Sequence, residues 1–178
     1  MQAGNKVCAF TGHRPSKLPW RYDETDERCV VLKAVLAEQI ESLVKSRFTQ
    51  FLSGMAEGTD MFCSEIVLGL REKNPALKLH CILPCTTQAE KWSVSSRDRY
   101  RSILEQADSV VYVSRDYHKN CMLGRNRFMV EYASALLAVY NGTRRSGTGA
   151  TLNSARQMGR EIIVIDPVTL LISHADSV

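Results

Sequence analysis

A chain of 178 residues with 44% hydrophobic side chains has the size of one compact domain and enough apolar material for a single core. Its 23 basic and 19 acidic residues leave a net charge of +4, too mild a surplus to favour nucleic acid as the partner, although it suits a small anion. With no apolar signal segment and no run of about 18 apolar residues, neither export nor a membrane partner is expected.

The six cysteines, Cys8, Cys29, Cys63, Cys81, Cys85 and Cys121, are scattered and form no CxxC pair. In apolar runs such as Val7-Cys8-Ala9-Phe10 they read as small buried hydrophobes, and reduced thiols in the cytoplasm are the expected setting. His80 with Cys81 and Cys85 lacks a standard ligand spacing and His80 falls in a strand pattern, so no metal site is expected.

Short β-rich apolar runs alternate with helical patterns along the chain, the signature of βαβ units. Lys6 to Phe10 reads as the first strand. A helix starts near Asp26, where Asp23, Glu24, Thr25 and Asp26 offer caps and first-turn acids, and Val30, Val31, Ala34, Val35, Ile40 and Leu43 mark its inner face. Thr49 to Leu52 is the second strand. The helix after it covers about Thr59 to Lys73, buries Met61, Phe62, Ile66, Val67 and Leu70, and is stopped by Asn74-Pro75. Leu77 to Leu83, Ser109 to Val113, Leu136 to Tyr140 and Glu161 to Ile165 are the remaining strands. Between them lie helices over Arg97 to Gln106, Asn126 to Ala135 and Thr148 to Met158, the last ending at Gly159. The pattern predicts an α/β fold: a single Rossmann-like, doubly wound, mostly parallel sheet of about six strands with helices on both faces, in one domain over residues 1–178.

Ligands of such sheets bind at the carboxyl ends of the strands. The first strand leads into Thr11-Gly12-His13-Arg14-Pro15, where Gly12 frees the backbone and His13 and Arg14 offer donors to an anion; an ordinary Gly-Pro turn with a solvated arginine accounts for it equally well. The second leads into Ser53-Gly54-Met55-Ala56-Glu57-Gly58-Thr59-Asp60. Its glycines bracket a helix start whose free N–H groups and dipole attract phosphate. Asp60 competes with an anion there and suits a ribose hydroxyl instead. The turn is neither GxGxxG nor a P-loop, so neither a standard NAD domain nor an NTPase is indicated. A stronger anion signal is Asn141 to Thr151, which sets Gly142, Gly147, Gly149, Arg144, Arg145 and the hydroxyls of Thr148 and Thr151 before a helix. Arg125 and Arg127, two apart, point differently, so only one need face a ligand; Phe128, Met129 and Val130 read as core. Trp92 and Tyr100 beside Arg97 and Arg99 can stack a base, though packing is the commoner fate of a tryptophan.

In this order the motifs resemble the SLOG superfamily and, within it, the YpsA-like proteins, over about residues 6 to 167. The resemblance rests on Thr11 to Pro15, Ser53 to Asp60, Lys91-Trp92 with Arg99-Tyr100, Cys121 to Val130, and Gly147-Thr148. The chain is also similar to the Rossmann domain of DNA-processing protein A, a single-stranded DNA binder. Its Ser-Gly-x-Ala-x-Gly-x-Asp turn, Arg-Asn-Arg element and Ser-Gly-x-x-x-Thr turn are matched by Ser53 to Asp60, Arg125 to Arg127 and Ser146 to Thr151. The LOG phosphoribohydrolases, which cleave the N-glycosidic bond of nucleoside monophosphates, carry Met-x-x-Arg-Lys-x-x-Met and a Gly-rich turn ending in a catalytic Glu. Met122, Arg125 and Met129 match, but Asn126 replaces the Lys and no acidic residue occurs between Glu131 and Glu161. Glycosidic cleavage wants a carboxylate beside the developing oxocarbenium. Glu131, Glu57 or Asp60 would have to supply it.

The expected function is therefore binding of a phosphate-bearing, nucleotide-derived ligand (ADP-ribose-, NAD- or cyclic-nucleotide-like) as sensor, regulator or sponge. A nucleotide N-glycosidase is the alternative and single-stranded DNA binding the second. Expected ligand contacts are Thr11, Gly12, His13, Arg14, Ser53, Gly54, Gly58, Asp60, Trp92, Arg99, Arg125, Asn126, Gly147, Thr148, Gly149 and Thr151; no catalytic residue, metal or cofactor is assigned beyond that nucleotide ligand. The resemblance implies a homo-oligomer. Gly147→Asp and Arg125→Ala are each expected to weaken binding and leave the fold intact.

Overall fold

Strands that are apolar on both faces belong in the middle of a covered sheet. Val7 to Phe10 and Ala135–Val139 are such runs, and in the computed structural model of the chain, which describes residues 6–143 and 145–175, they lie side by side at its centre. The elements follow one another as β1 (Lys6–Gly12), α1 (Glu27–Lys45), β2 (Phe48–Ser53), α2 (Thr59–Lys73), β3 (Lys78–Leu83), α3 (Val94–Gln106), β4 (Ser109–Tyr112), α4 (Cys121–Tyr132), β5 (Ala135–Val139), α5 (Gly147–Gln157), β6 (Glu161–Ile165) and β7 (Ile172–Ala175). The sheet order is β4-β3-β2-β1-β5-β6-β7. All neighbours run parallel except β7, which is antiparallel to β6. From β1 the chain builds outward through β2, β3 and β4, then returns to lay β5 on the other side of β1, so the order reverses between β1 and β5. That reversal opens the crevice where such folds hold ligands.

The two sheet faces carry separate apolar clusters. On one, Phe10 stacks on Phe51 at 5.7 Å beneath Leu32, Leu36 and Ile40 of α1 and Met61, Phe62 and Val67 of α2. On the other, Ala9, Leu52, Leu136 and Ile162 meet Met129 and Val130 of α4 and Leu152 and Ala155 of α5.

Several elements differ from their predicted form. The inner face of α1 is Cys29, Leu32, Leu36, Ile40 and Leu43, while Val30 and Val31 are 54% and 38% exposed. The i, i+3, i+7 stripe through Cys29 outweighs the β-branched pair, which sits about 100° per residue away from it. Helix α3 begins three residues earlier than predicted, at Val94, where Ser93 accepts a cap bond from the Ser96 N–H at 3.1 Å. Helix α4 begins at Cys121 rather than Asn126 and ends at Tyr132 rather than Ala135. Its buried stripe is Cys121, Arg125 and Met129, and the arginine in the middle hides the apolar period. Strand β7 was not predicted: three of its four residues are exposed, so its sequence shows no two-sided apolar run.

All six cysteines are free and buried, and burial pushes the Cys81 thiol up to about 12. Both ring nitrogens of His80 are engaged across the sheet, Nδ1 with Ser109 Oγ at 2.7 Å and Nε2 with Gln50 Oε1 at 2.6 Å. Among the described residues no group of three or more His, Cys, Asp or Glu is arranged to hold a metal, and no helix is long and apolar enough to cross a membrane.

The carboxyl end of β1 is welded to the start of α2. Thr59 Oγ1 donates to the His13 carbonyl at 3.2 Å, and a Cβ on Gly12 would collide with the Thr59 side chain. Gly12→Ala is expected to cost about 1–3 kcal/mol through overpacking, read as a lower urea midpoint at unchanged m value. An unshifted midpoint would show that the contact yields without cost.

Candidate functional site

Beyond β1 the chain enters a short 3-10 turn, Pro15–Lys17, begun by a proline whose fixed φ suits a first helical position. His13 ties this loop to the segment following β5. Its N–H donates to the Val139 carbonyl at 3.2 Å, its Nε2 lies 2.8 Å from Asn141 Oδ1, and its ring packs 5.6 Å from that of Tyr140. Asn141 Oδ1 also accepts from the Thr143 N–H at 3.1 Å. The two loops so joined face each other across a cleft of about 490 Å³ at the switch point, a volume suited to a small organic ligand. Thr11 to Arg14 with Ser16 and Lys17 form one wall, Thr143 and Arg145 to Thr148 the other, and Ala56, Asp60, Met122, Arg125 and Asn126 contribute the remaining surface.

Arg125 is 5% exposed. Its Nη1 donates to the Gly54 carbonyl and its Nε donates to Asn126 Oδ1 at 2.7 Å. A Cβ on Gly54 would overlap the guanidinium, so only glycine lets the arginine reach the turn. Gln88 Nε2 grips the same turn, donating to the carbonyls of Gly54 at 3.0 Å and Met55 at 2.9 Å. From within, Ser53 Oγ accepts from the Met55 N–H at 3.2 Å and from Ser64 Oγ at 2.8 Å. Gly58 adopts φ +88, a left-handed conformation that favours glycine. The turn from Ser53 to Gly58 is thus a buried, braced support, and within it only Ala56 lines the cleft.

Asp60 follows as the carboxylate lining the cleft, its Oδ2 accepting from the Ala56 N–H at 3.2 Å. Burial pushes its proton affinity up, partly opposed by the positive charges of Arg125 and Arg14. Burial likewise pushes Arg125 down, with Asp60 opposing the shift. The two groups are coupled through space without a direct salt bridge.

The other Gly-rich turn is open. Ser146 Oγ caps α5 by accepting from the Gly149 N–H at 3.0 Å, and Thr151 Oγ1 donates to the Gly147 carbonyl at 2.9 Å while accepting from Asn126 Nδ2 at 2.9 Å. A Cβ on Gly147 would meet no atom within 4 Å, so the fold leaves this backbone accessible from the cleft. Arg14, Lys17 and Arg145 are exposed on the rim, and none has an ion pair or hydrogen-bonded side chain among the described residues. Arg144 lies outside the described residues.

Of the residues expected to contact ligand, Thr11, Gly12, His13, Arg14, Asp60, Arg125, Asn126, Gly147 and Thr148 line this cleft. Ser53, Gly54 and Gly58 are buried and do not line it; Gly149, in the first turn of α5, lines a separate recess, and Thr151 is buried on that helix. Trp92 lines a neighbouring recess. Arg99 lies elsewhere, donating to Glu65 at 2.6 Å and to Glu24, with its guanidinium over the Phe62 ring at 5.4 Å. Arg125 differs from the expected removable ligand contact. Truncating it would remove one of the two side-chain donors to the Gly54 carbonyl and the larger of the two positive charges acting on buried Asp60, at a cost of about 1–3 kcal/mol. Sequence reasoning missed Lys17, and the available signal was Pro15: a proline-led 3-10 turn folds the chain back so that the Lys17 N–H donates to the Arg14 carbonyl at 2.9 Å. It also missed Gln88, which no local pattern marks.

The model of the YspA SLOG family matches residues 8–170. The chain is similar to UPF0398 proteins of Bacillus: that of Bacillus pumilus is 32% identical over 138 residues, covering 76% of this chain and 74% of the relative. That of Bacillus velezensis is 29% identical over 138 residues, covering 76% and 75%. One from Bacillus cereus is 27% identical over 157 residues, covering 86% and 84%.

Asp60 carries a pH prediction. A carboxyl whose proton affinity is higher in the folded than in the unfolded chain destabilises the fold as pH rises from about 4, because ionisation is easier after unfolding. Asp60→Asn removes this drift. The stability of the variant relative to the parent is expected to improve as pH rises from about 4 in urea denaturation; a pH-independent difference would contradict it.

Proposed function

The chain belongs to the YspA SLOG family, and on that premise we propose that its cleft binds a phosphate-bearing nucleotide derivative of the ADP-ribose, NAD or cyclic-nucleotide class. Membership of this family points to a nucleotide-related function. The observation that supports the phosphate assignment is the gathering of Arg14, Lys17 and Arg145, all without ion pairs among the described residues, around the accessible backbone at Gly147. Cations and helix N–H groups that share one concavity cooperate on an anion, and guanidinium groups match phosphate oxygens in pairs. Asp60 would sit toward the sugar, where a carboxylate accepts from a hydroxyl and does not face the phosphate.

Binding as a sensor, regulator or sponge is the reading favoured over turnover. Cleavage of an N-glycosidic bond is a second reading, and it rests on Asp60 alone. Glu131 pairs with Arg127 at 2.8 Å and, like Glu57, does not line the cleft. Asp60, in turn, is held to the Ala56 N–H at 3.2 Å.

Isothermal titration against AMP, ADP-ribose, NAD and cyclic nucleotides tests the reading. Arg14→Ala and Arg145→Ala are each expected to weaken binding by about tenfold or more, the worth of a charge-assisted hydrogen bond. Gly147→Asp is expected to abolish binding while the melting temperature holds or rises, because an acid in the first turn suits the helix dipole but repels phosphate. Flat heats across the panel with a folded protein would reject the proposal. Chromatography for free base decides the second reading: release by the parent that Asp60→Asn abolishes supports it, and no release across the panel rejects it.

A further inference from the structure

We propose that the planar ring of the ligand occupies a second lobe of the cleft, seated between Trp92 and Tyr117 and recognised through an N–H donor by Gln88. This rests on the first lobe being the phosphate site. Arg14 and Met122 line both the principal cleft and a neighbouring recess of about 450 Å³, so the two spaces share a wall. Their chemistry differs. The first gathers cations and open backbone, while the second presents Trp92, Tyr117, Lys91 and Gln88.

Each of these side chains is placed for a ring. Trp92 is held by an edge-on contact with Tyr100, ring centroids 5.4 Å apart and planes at 87°, which fixes the indole while it still lines the recess. Tyr117 is 66% exposed and makes no ring contact or hydrogen bond among the described residues. A fixed and a free aromatic beside a cation form a platform for a flat π-system. Gln88 supplies an independent observation. It is 8% exposed, and the carbonyls of Gly54 and Met55 both draw its Nε2, so the amide has one allowed orientation. Its Oε1 is therefore a fixed acceptor, buried without a hydrogen-bond partner among the described residues. Buried acceptors are normally paired, and a ring amine or carboxamide entering the recess would supply the donor once the wall over Oε1 opens to admit it. Arg14, exposed at the shared wall, is positioned for the charged linkage between ring and phosphate.

The test titrates the full chain with ribose 5-phosphate, which has no planar aromatic ring, and with AMP and NAD, which do. At least one ring-bearing probe is expected to bind on the order of tenfold tighter than ribose 5-phosphate, the gain typical of stacking one base on an aromatic side chain. Tyr117→Ala is expected to erase that gain, leave ribose 5-phosphate affinity unchanged and melt like the parent, since its side chain is largely in solvent. Ring-bearing probes no tighter than ribose 5-phosphate, or a Tyr117→Ala loss shared by all three, would overturn the second lobe and leave the phosphate site standing. If none of the three binds, the phosphate site falls and the second lobe with it.

Discussion

A buried arginine sets the geometry of this molecule. Arg125 lies in the middle of the core-facing stripe of α4 and reaches across to the Gly54 carbonyl. A guanidinium out of water must find acceptors and a compensating charge. The turn after β2 supplies the carbonyl, Asn126 supplies an amide oxygen, and Asp60 supplies the charge. Meeting those needs positions the rest. Glycine becomes obligatory at position 54, α4 is tied to the turn that leads into α2, and Asn126 is turned toward Thr151 at the head of α5.

The cleft thus divides into a rigid base and an adaptable rim. Beneath it, apart from Gln88 Oε1, the polar groups of the turn satisfy one another and the backbone is largely buried. On the rim, Arg14, Lys17 and Arg145 have no ion pair or side-chain hydrogen bond among the described residues, so they can turn toward whatever enters. Mobile cations above a fixed support suit a ligand whose phosphates are recognised by charge and whose remainder is recognised by shape. The clasp of His13 with Asn141 spans both walls, so ordering of one loop is felt by the other.

Much of the fold was legible in the sequence because its signals are local. Helix α2 has the predicted bounds, Thr59–Lys73, since Asn74-Pro75 forbids continuation, and β6 has its predicted bounds, Glu161–Ile165, because Ile162 to Ile165 is an uninterrupted β-branched run after a glycine stop. Helix α4 was misplaced because its inward stripe contains a charge, which periodicity counts as outward. In the site, the same asymmetry holds. Glycines, hydroxyls and arginines after β1 and before α5 announced a concave anion region, but the division of labour between Gly54 and Gly147 depends on neighbours far along the chain. Arg99 looked like a ligand residue beside Trp92, whereas Glu24 and Glu65, distant in sequence, claim its guanidinium.

The free thiols give the protein a built-in record of its own breathing. Cys8 lies on β1 in the cluster beneath α1 and α2, Cys63 on the inner face of α2 and Cys121 at the start of α4, all shielded from solvent, and burial holds the protons of Cys8 and Cys63 tightly. An alkylating reagent attacks only thiolate, so each position becomes reactive when its own layer parts. Labelling rates at Cys63 and Cys121 would separate motion of the α1–α2 layer from motion of the element that carries Arg125. A ligand clamped between the β1 and β5 loops would then register as slower alkylation at Cys121, although it touches no sulfur.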